Sequence, residues 1–106
     1  MAGAVINSNS KIGDFCIINT NASLDHDSNM SDFSSIAPGV TTGGNILIGK
    51  FSAISLGANI IHGITIGKHS VIGSGSTVLK DVDDYVVAHG TPAKTIRKRK
   101  EGDKYL

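Results

Sequence analysis

The stretch IGKFSAISLGANIIHGITIGKHSVI, Ile48 to Ile72, returns an isoleucine at every sixth position: Ile48, Ile54, Ile60, Ile66 and Ile72. Followed outward, the same slot holds Ile6, Ile12, Ile18, Leu24, Met30, Ile36 and Thr42 on one side and Val78 on the other. Thr42 alone fails the pattern across thirteen hexads. A fixed short period without insertion marks a solenoid, whose units bury their apolar faces only against their neighbours. A second slot, four residues after the first, is mostly small, as in Ser10, Cys16, Ala22, Ser28, Ser34, Ser52, Ala58, Ser70 and Ser76, with Val82 at its end. One large and one small inward side chain per hexad suits a narrow tube. Three hexads close a triangular coil of eighteen residues, and residues eighteen apart then stack at about 4.8 Å.

Columns at that stride carry recognisable chemistry. Asn21, Gly39, Gly57 and Gly75 fall on one line, and these residue types tolerate the left-handed backbone of a tight corner. Phe15, Phe33, Phe51 and His69 form an aromatic line, beside which Asp14, Asp32, Lys50 and Lys68 make one opposite-charge step. Gly49, Gly67 and Gly73 follow the inward aliphatic and read as relaxing a corner or admitting a ligand to backbone amides. Ser8, His26, Gly44, His62 and Lys80 share a further line, where Gly44 predicts a gap between the two histidines and a trough for a thin ligand.

The 106 residues form one domain, with a net charge of +1 that gives no general pull toward nucleic acid or anionic membrane. A solenoid this small gains burial by associating with its own copies. The single cysteine, Cys16, permits no internal disulfide and occupies an inward slot, which fits a structural thiol in a reducing compartment. The first ten residues show no basic region and no sustained apolar run, so neither signal peptide nor membrane span is expected and the chain reads as cytoplasmic. The repeat starts within five residues of Met1; either another molecule covers that end, or the chain is the repeat half of something longer. The pattern predicts a β-helix over residues 1–87 and a cap over 88–106. The register is expected to break at Asp83-Asp84, followed by extended Tyr85-Val86-Val87 and a turn at Gly90 to Lys94 that starts a short helix with Pro92 in its first turn. Lys94, Arg97, Lys98, Arg99 and Lys100 form a basic tail suited to phosphates, or simply a solvated one.

Asp25-His26-Asp27 wraps an exterior corner beside inward Leu24. A carboxylate next to an imidazole raises its basicity and holds its tautomer, so the triplet reads as a general base, with a solvated corner as the alternative. His62 reads as an exposed turn residue and His69 as the top of the aromatic line.

The aliphatic-glycine hexads Ile12-Gly13, Ile48-Gly49, Ile66-Gly67 and Ile72-Gly73, over most of the chain, resemble the left-handed β-helix hexapeptide acyltransferases. The motifs Asn19-Thr20, Asp25-His26-Asp27, Ala37-Pro38-Gly39, Gly63 to Gly67 and Gly90 to Lys94 resemble sugar acetyltransferases of the sialic-acid O-acetyltransferase and bacillosamine N-acetyltransferase type. The resemblance implies an all-β fold, a single-stranded left-handed parallel β-helix shaped as a triangular prism with a short C-terminal cap. It also implies an acetyl-coenzyme A dependent transferase acting on a hydroxyl or amine of a sugar or nucleotide sugar, working as a homotrimer with sites between neighbouring prisms. By motif match His26 is the general base and Asp27 orients it. Leu56 and Ser74 match positions along the pantetheine arm, Pro92, Ala93 and Lys94 the nucleotide end, and Ser35 stands where bacillosamine-type relatives carry a second histidine near the acetyl group. Those relatives have an N-terminal nucleotide-sugar domain, whereas this chain begins at the repeat.

Two other classes share the prism. A γ-carbonic-anhydrase-like zinc site needs a His-x4-His pair, whereas His62 and His69 are seven apart; no metal is expected. A prism that binds or scaffolds without catalysis is the alternative that thermal shift and hydrolysis of acetyl-coenzyme A separate from the enzyme.

Overall fold

The computed structural model describes the backbone of Val5–Ile6 and residues 10–99, and among these residues there are fifteen strands and no helix. The Ile6 side chain, Ser8 and Lys100 lie outside the described residues. Each hexad supplies one two-residue strand. The first sheet stacks β1 (Val5–Ile6), β4 (Ser23–Leu24), β7 (Thr41–Thr42), β10 (Asn59–Ile60) and β13 (Thr77–Val78). The second stacks β2 (Lys11–Ile12), β5 (Asn29–Met30), β8 (Leu47–Ile48) and β11 (Thr65–Ile66). The third stacks β3 (Ile17–Ile18), β6 (Ser35–Ile36), β9 (Ala53–Ile54) and β12 (Val71–Ile72), then adds β14 (Val86–His89) and β15 (Lys94–Lys98). The pairs through β13 are parallel and eighteen residues apart, as in Ser35 with Ala53 and Asn59 with Thr77. The coil length expected from the sequence is the coil length of the fold.

The two inward slots fill the tube. Leu24, Ile36, Ile48, Ile54, Ile66 and Ile72 are all at most 1% exposed; Ile12, in the lowest described coil with none stacked beneath it, stays 37% exposed. The small slot is serine for a second reason besides size. Buried Ser28, Ser52 and Ser70 accept the amides of Ile46 (3.1 Å), Ser70 (2.9 Å) and Val86 (3.2 Å) in the coil above, so the hydroxyl satisfies an inward-facing amide of the next coil. Cys16 is half-buried in the same slot and donates its thiol hydrogen to the Ser31 carbonyl at 3.2 Å.

Gly49 corrects the corner reading of the glycines that follow the aliphatic slot. A Cβ at Gly49 would lie 2.5 Å from the Lys68 amide nitrogen and 2.7 Å from Lys68 Cα, so the residue is there to let the next coil stack. Gly57, in contrast, has φ +65° and open space around a Cβ. Gly57→Ala is expected to cost about 1–2 kcal/mol from left-handed strain, and Gly49→Ala about 1–3 kcal/mol or more, because backbone has to move. Urea unfolding checks the order; a Gly49→Ala protein as stable as wild type would remove the clash.

Three corners join the sheets, and each turns through a left-handed residue. Asn21, Gly39, Gly57 and Gly75 do so between the third and first sheets, Asp27, Asn45 and Gly63 between the first and second. Between the second and third, the turning residues are Phe15, Phe33, Phe51, His69 and Tyr85, with φ of 54 to 61°. Their rings stack with centroids 5.1, 4.9, 4.8 and 4.8 Å apart. Left-handed backbone costs a bulky residue about 1–2 kcal/mol and an aromatic pair contributes about 0.5–1.5 kcal/mol beyond its burial. The ladder therefore offsets part of the strain of its own corner. Beside it, Asp32 directs Oδ1 to the Asp14 amide at 2.7 Å, so the expected charge step toward Lys50 is instead a backbone cap.

The last coil is two residues short. Thr65 N donates to Asp81 Oδ1 at 2.8 Å, Ile66 bridges Val82, Lys68 N donates to Asp84 Oδ1 at 2.8 Å, and Val71 pairs with Val87, all sixteen residues apart. The register thus breaks before Val82, not after it, and Val82 takes the large slot, because a valine fits either. This shift brings Tyr85 onto the aromatic ladder. The short helix expected after Pro92 is also corrected: β15 is an antiparallel partner of β14, since the open edge of the third sheet offers Thr95 and Ile96 a ladder of unpaired backbone groups. The basic tail divides. Lys94, Arg97 and Lys98 are exposed on β15, while Arg99 is buried, donating Nη1 to the His69 carbonyl at 2.7 Å.

Candidate active site

Leu24 anchors β4 in the core, and the chain then swings out around the corner between the first and second sheets. Asp25 Oδ1 accepts the His26 amide at 2.8 Å, and Asp27 takes the left-handed conformation at φ +56°. His26 Nδ1 and Asp27 Oδ2 are 3.1 Å apart, with the two side chains 51% and 50% exposed. A carboxylate only accepts, so Nδ1 carries a hydrogen, and in the neutral imidazole the lone pair is then on Nε2. The pair is built to take a proton at Nε2. Its half-exposure keeps the ion-pair energy small, so orientation is what Asp27 chiefly supplies.

The trough expected over Gly44 is absent. A Cβ there would fall 2.5 Å from both Cε1 and Nε2 of His26, so the imidazole itself lies across the glycine and fills the gap. The ring thereby reaches toward the next coil, with its centroid 6.2 Å from that of His62. Asn45 Nδ2 is 3.4 Å from His62 Nε2, which ties His62 to the corner directly above Asp27. Asn45 was not singled out in the sequence; its signal is the eighteen-residue stride from Asp27.

A second feature sits on a different corner. Ser35, Leu56 and Ser74 line one shallow groove of about 290 Å³, together with Asn19, Ala37 and Ser55. Leu56 is 56% exposed there. The turn holding Pro92, Ala93 and Lys94 lies on the following coil, because Thr77 N donates to Gly90 O at 3.0 Å and Ala93 N to Thr77 O at 2.8 Å. The structure thus brings Ser35, Leu56 and Ser74 to the third sheet and its corner with the first, and His26 with Asp27 to the corner between the first and second. A larger concavity of about 560 Å³ runs over the second sheet, past Gly13, Gly49 and Gly67, and includes none of these residues.

No family model and no curated protein matches the sequence. Solved structures do. A variant of GDP-perosamine N-acetyltransferase from Caulobacter crescentus, in complex with CoA and GDP-perosamine, is 38% identical and superposes with a TM-score of 0.90 over 92% of this chain and 47% of that one. The acetyltransferase domain of PglB from Neisseria gonorrhoeae FA1090 is 36% identical, with a TM-score of 0.89 over 91% of this chain and 47% of that one. Serine acetyltransferase from Neisseria gonorrhoeae is 27% identical, with a TM-score of 0.85 over 93% and 43%. The chain spans about half the length of these proteins. They are left-handed β-helices, and a superposition at 0.90 does not join coils of opposite hand, so the expected hand is the hand of this prism.

Proposed function

From a chain that shares its fold and 38% of its aligned residues with a hexapeptide-repeat left-handed β-helix acetyltransferase, we propose an acetyl-coenzyme A dependent acetyltransferase acting on a sugar or nucleotide sugar. The observation that carries the reading is the His26–Asp27 contact of 3.1 Å at an exposed corner, which directs Nδ1–H to the carboxylate and, in the neutral ring, makes Nε2 the accepting nitrogen. His26 removes the proton of the acceptor hydroxyl or amine as that group attacks, and hands it to the departing thiolate. Asp27 keeps the ring turned for both transfers. Acetyl-coenzyme A supplies the acetyl group already activated as a thioester. Neighbours solved with CoA and GDP-perosamine support an amino group on a nucleotide-linked sugar as the acceptor.

The groove at Ser35, Leu56 and Ser74 has the small and apolar lining that a thin pantetheine arm needs, and Pro92 to Lys94 lie beyond it on the side where the nucleotide belongs. At about 290 Å³ it is at the lower limit for a small-molecule site. A second wall is required, and so is a base, since His26 stands on another corner. Both needs are met if prisms associate side by side so that the His26 corner of one faces the groove of the next, which closes as a homotrimer. Sedimentation of the protein at micromolar concentration is expected to give a trimer that acetyl-coenzyme A stabilises further. A monomer with no response to the ligand would overturn the reading.

A further inference from the structure

We propose that Thr42 is the positioning residue for His26, a role that rests on reading His26 as the base. Thr42 occupies a slot otherwise filled by isoleucine, leucine, methionine or valine, and it is only 4% exposed. Core packing does not ask for a hydroxyl there. Valine has nearly the same volume, and exchanging the two differs chiefly in burying a polar group.

The hydroxyl has replaced a main-chain partner. In the regular coil, the amide after each large-slot residue donates to the carbonyl of the slot residue one coil up: Asn19 to Ile36 (3.0 Å), Ser31 to Ile48 (2.9 Å), Ala37 to Ile54 (2.9 Å) and Gly43 to Ile60 (2.7 Å). At Asp25 the amide donates instead to Thr42 Oγ1 at 3.1 Å, and the same hydroxyl donates to the Ser23 carbonyl at 3.1 Å. The strand pairing changes with it. Between β4 and β7 only Ser23 and Thr41 remain in register, where most other pairs of coils keep two residues. The departure falls on the residue that opens the catalytic corner. From Asp25 the contacts run on through Oδ1 to the His26 amide at 2.8 Å, and from His26 Nδ1 to Asp27 at 3.1 Å. Thr42 thus sets where the Asp25 amide lies, and with it the angle at which the imidazole is laid over Gly44.

The test compares Thr42→Val, which keeps the volume, with Thr42→Ser, which keeps the hydroxyl. Thr42→Val is expected to fold, to keep the melting-temperature rise given by acetyl-coenzyme A, and to keep its KM for that ligand. Its kcat falls about tenfold or more, the scale of a reacting group held slightly out of place. Thr42→Ser stays within about twofold of wild type in kcat. Nitrogen-15 spectra of the His26 ring give a readout that needs no turnover: one Nδ1–H tautomer in wild type and Thr42→Ser, a mixture in Thr42→Val. A Thr42→Val protein with wild-type ring shifts, or a Thr42→Ser protein as impaired as Thr42→Val, overturns the proposal. If wild type transfers no acetyl group but the ring shifts change as stated, the proposed activity falls and the positioning stands.

Discussion

Replacing His26 with alanine is expected to lower acetyl transfer by about a hundredfold or more while leaving the stabilisation of the protein by acetyl-coenzyme A intact. The two effects separate because they belong to different corners: the groove at Ser35, Leu56 and Ser74 lies on the third sheet and its corner with the first, and the His26–Asp27 pair on the corner between the first and second. A ligand that binds only folded protein raises its melting temperature whether or not chemistry follows. Asp27→Asn is expected to fall between the variant and wild type, since the imidazole keeps its accepting nitrogen but loses the carboxylate that holds its tautomer. Thiol release from acetyl-coenzyme A, followed across amino sugars and nucleotide sugars, measures the first effect and thermal unfolding the second. Full activity in His26→Ala would remove this residue as the base. A wild-type protein that ignores millimolar acetyl-coenzyme A in both assays would leave a prism that binds or scaffolds.

Ile54→Asp is expected to destabilise the fold severely, by several kcal/mol, whereas Lys68→Ala is expected to change stability by at most about 1 kcal/mol. Ile54 is 1% exposed and belongs to the single inner cluster that runs from Ile18 to Ala88. A carboxylate there has no cation to pair with inside a tube of aliphatic side chains and serine hydroxyls, and an uncompensated buried charge costs about 3–5 kcal/mol. That is a large share of the stability of a small domain. Lys68 is exposed, and its Nζ stands 5.9 Å from the Tyr85 ring centroid, a contact of about 0.5 kcal/mol at an exposed site. Equal melting temperatures for the two variants would mean that the inward register is wrong.

The fold was legible because a solenoid writes its geometry as a period. Every large-slot residue from Ile18 to Val78 is buried, including Thr42, the position that breaks the pattern. Where the sequence misled, a local contact had displaced the regular pattern. Val82 fits either slot, so a two-residue contraction passes unseen at a fixed stride, and with it Tyr85 and Asp84 are missed as members of their columns. The segment after Pro92 carries a helix-start signal, yet Thr95 and Ile96 are β-branched and suit a strand, and an open sheet edge decides between the two. At the site, the neighbouring His26 and Asp27 were readable from adjacency. The imidazole lying across Gly44 was not, because an empty position in a column says nothing about which neighbour leans into it.

Each coil offers the next a row of parallel backbone groups, so in principle a prism of this kind has no intrinsic length. Copies could add to its end as coils add within it. Among the described residues, the shortened sixteen-residue turn and the reversed strand β15 interrupt that pattern after the fourth coil of the third sheet. An antiparallel strand bearing Lys94, Arg97 and Lys98 presents the wrong direction and repelling charge to an incoming coil. On the third sheet, strand direction and charge both oppose the docking of another coil onto that edge.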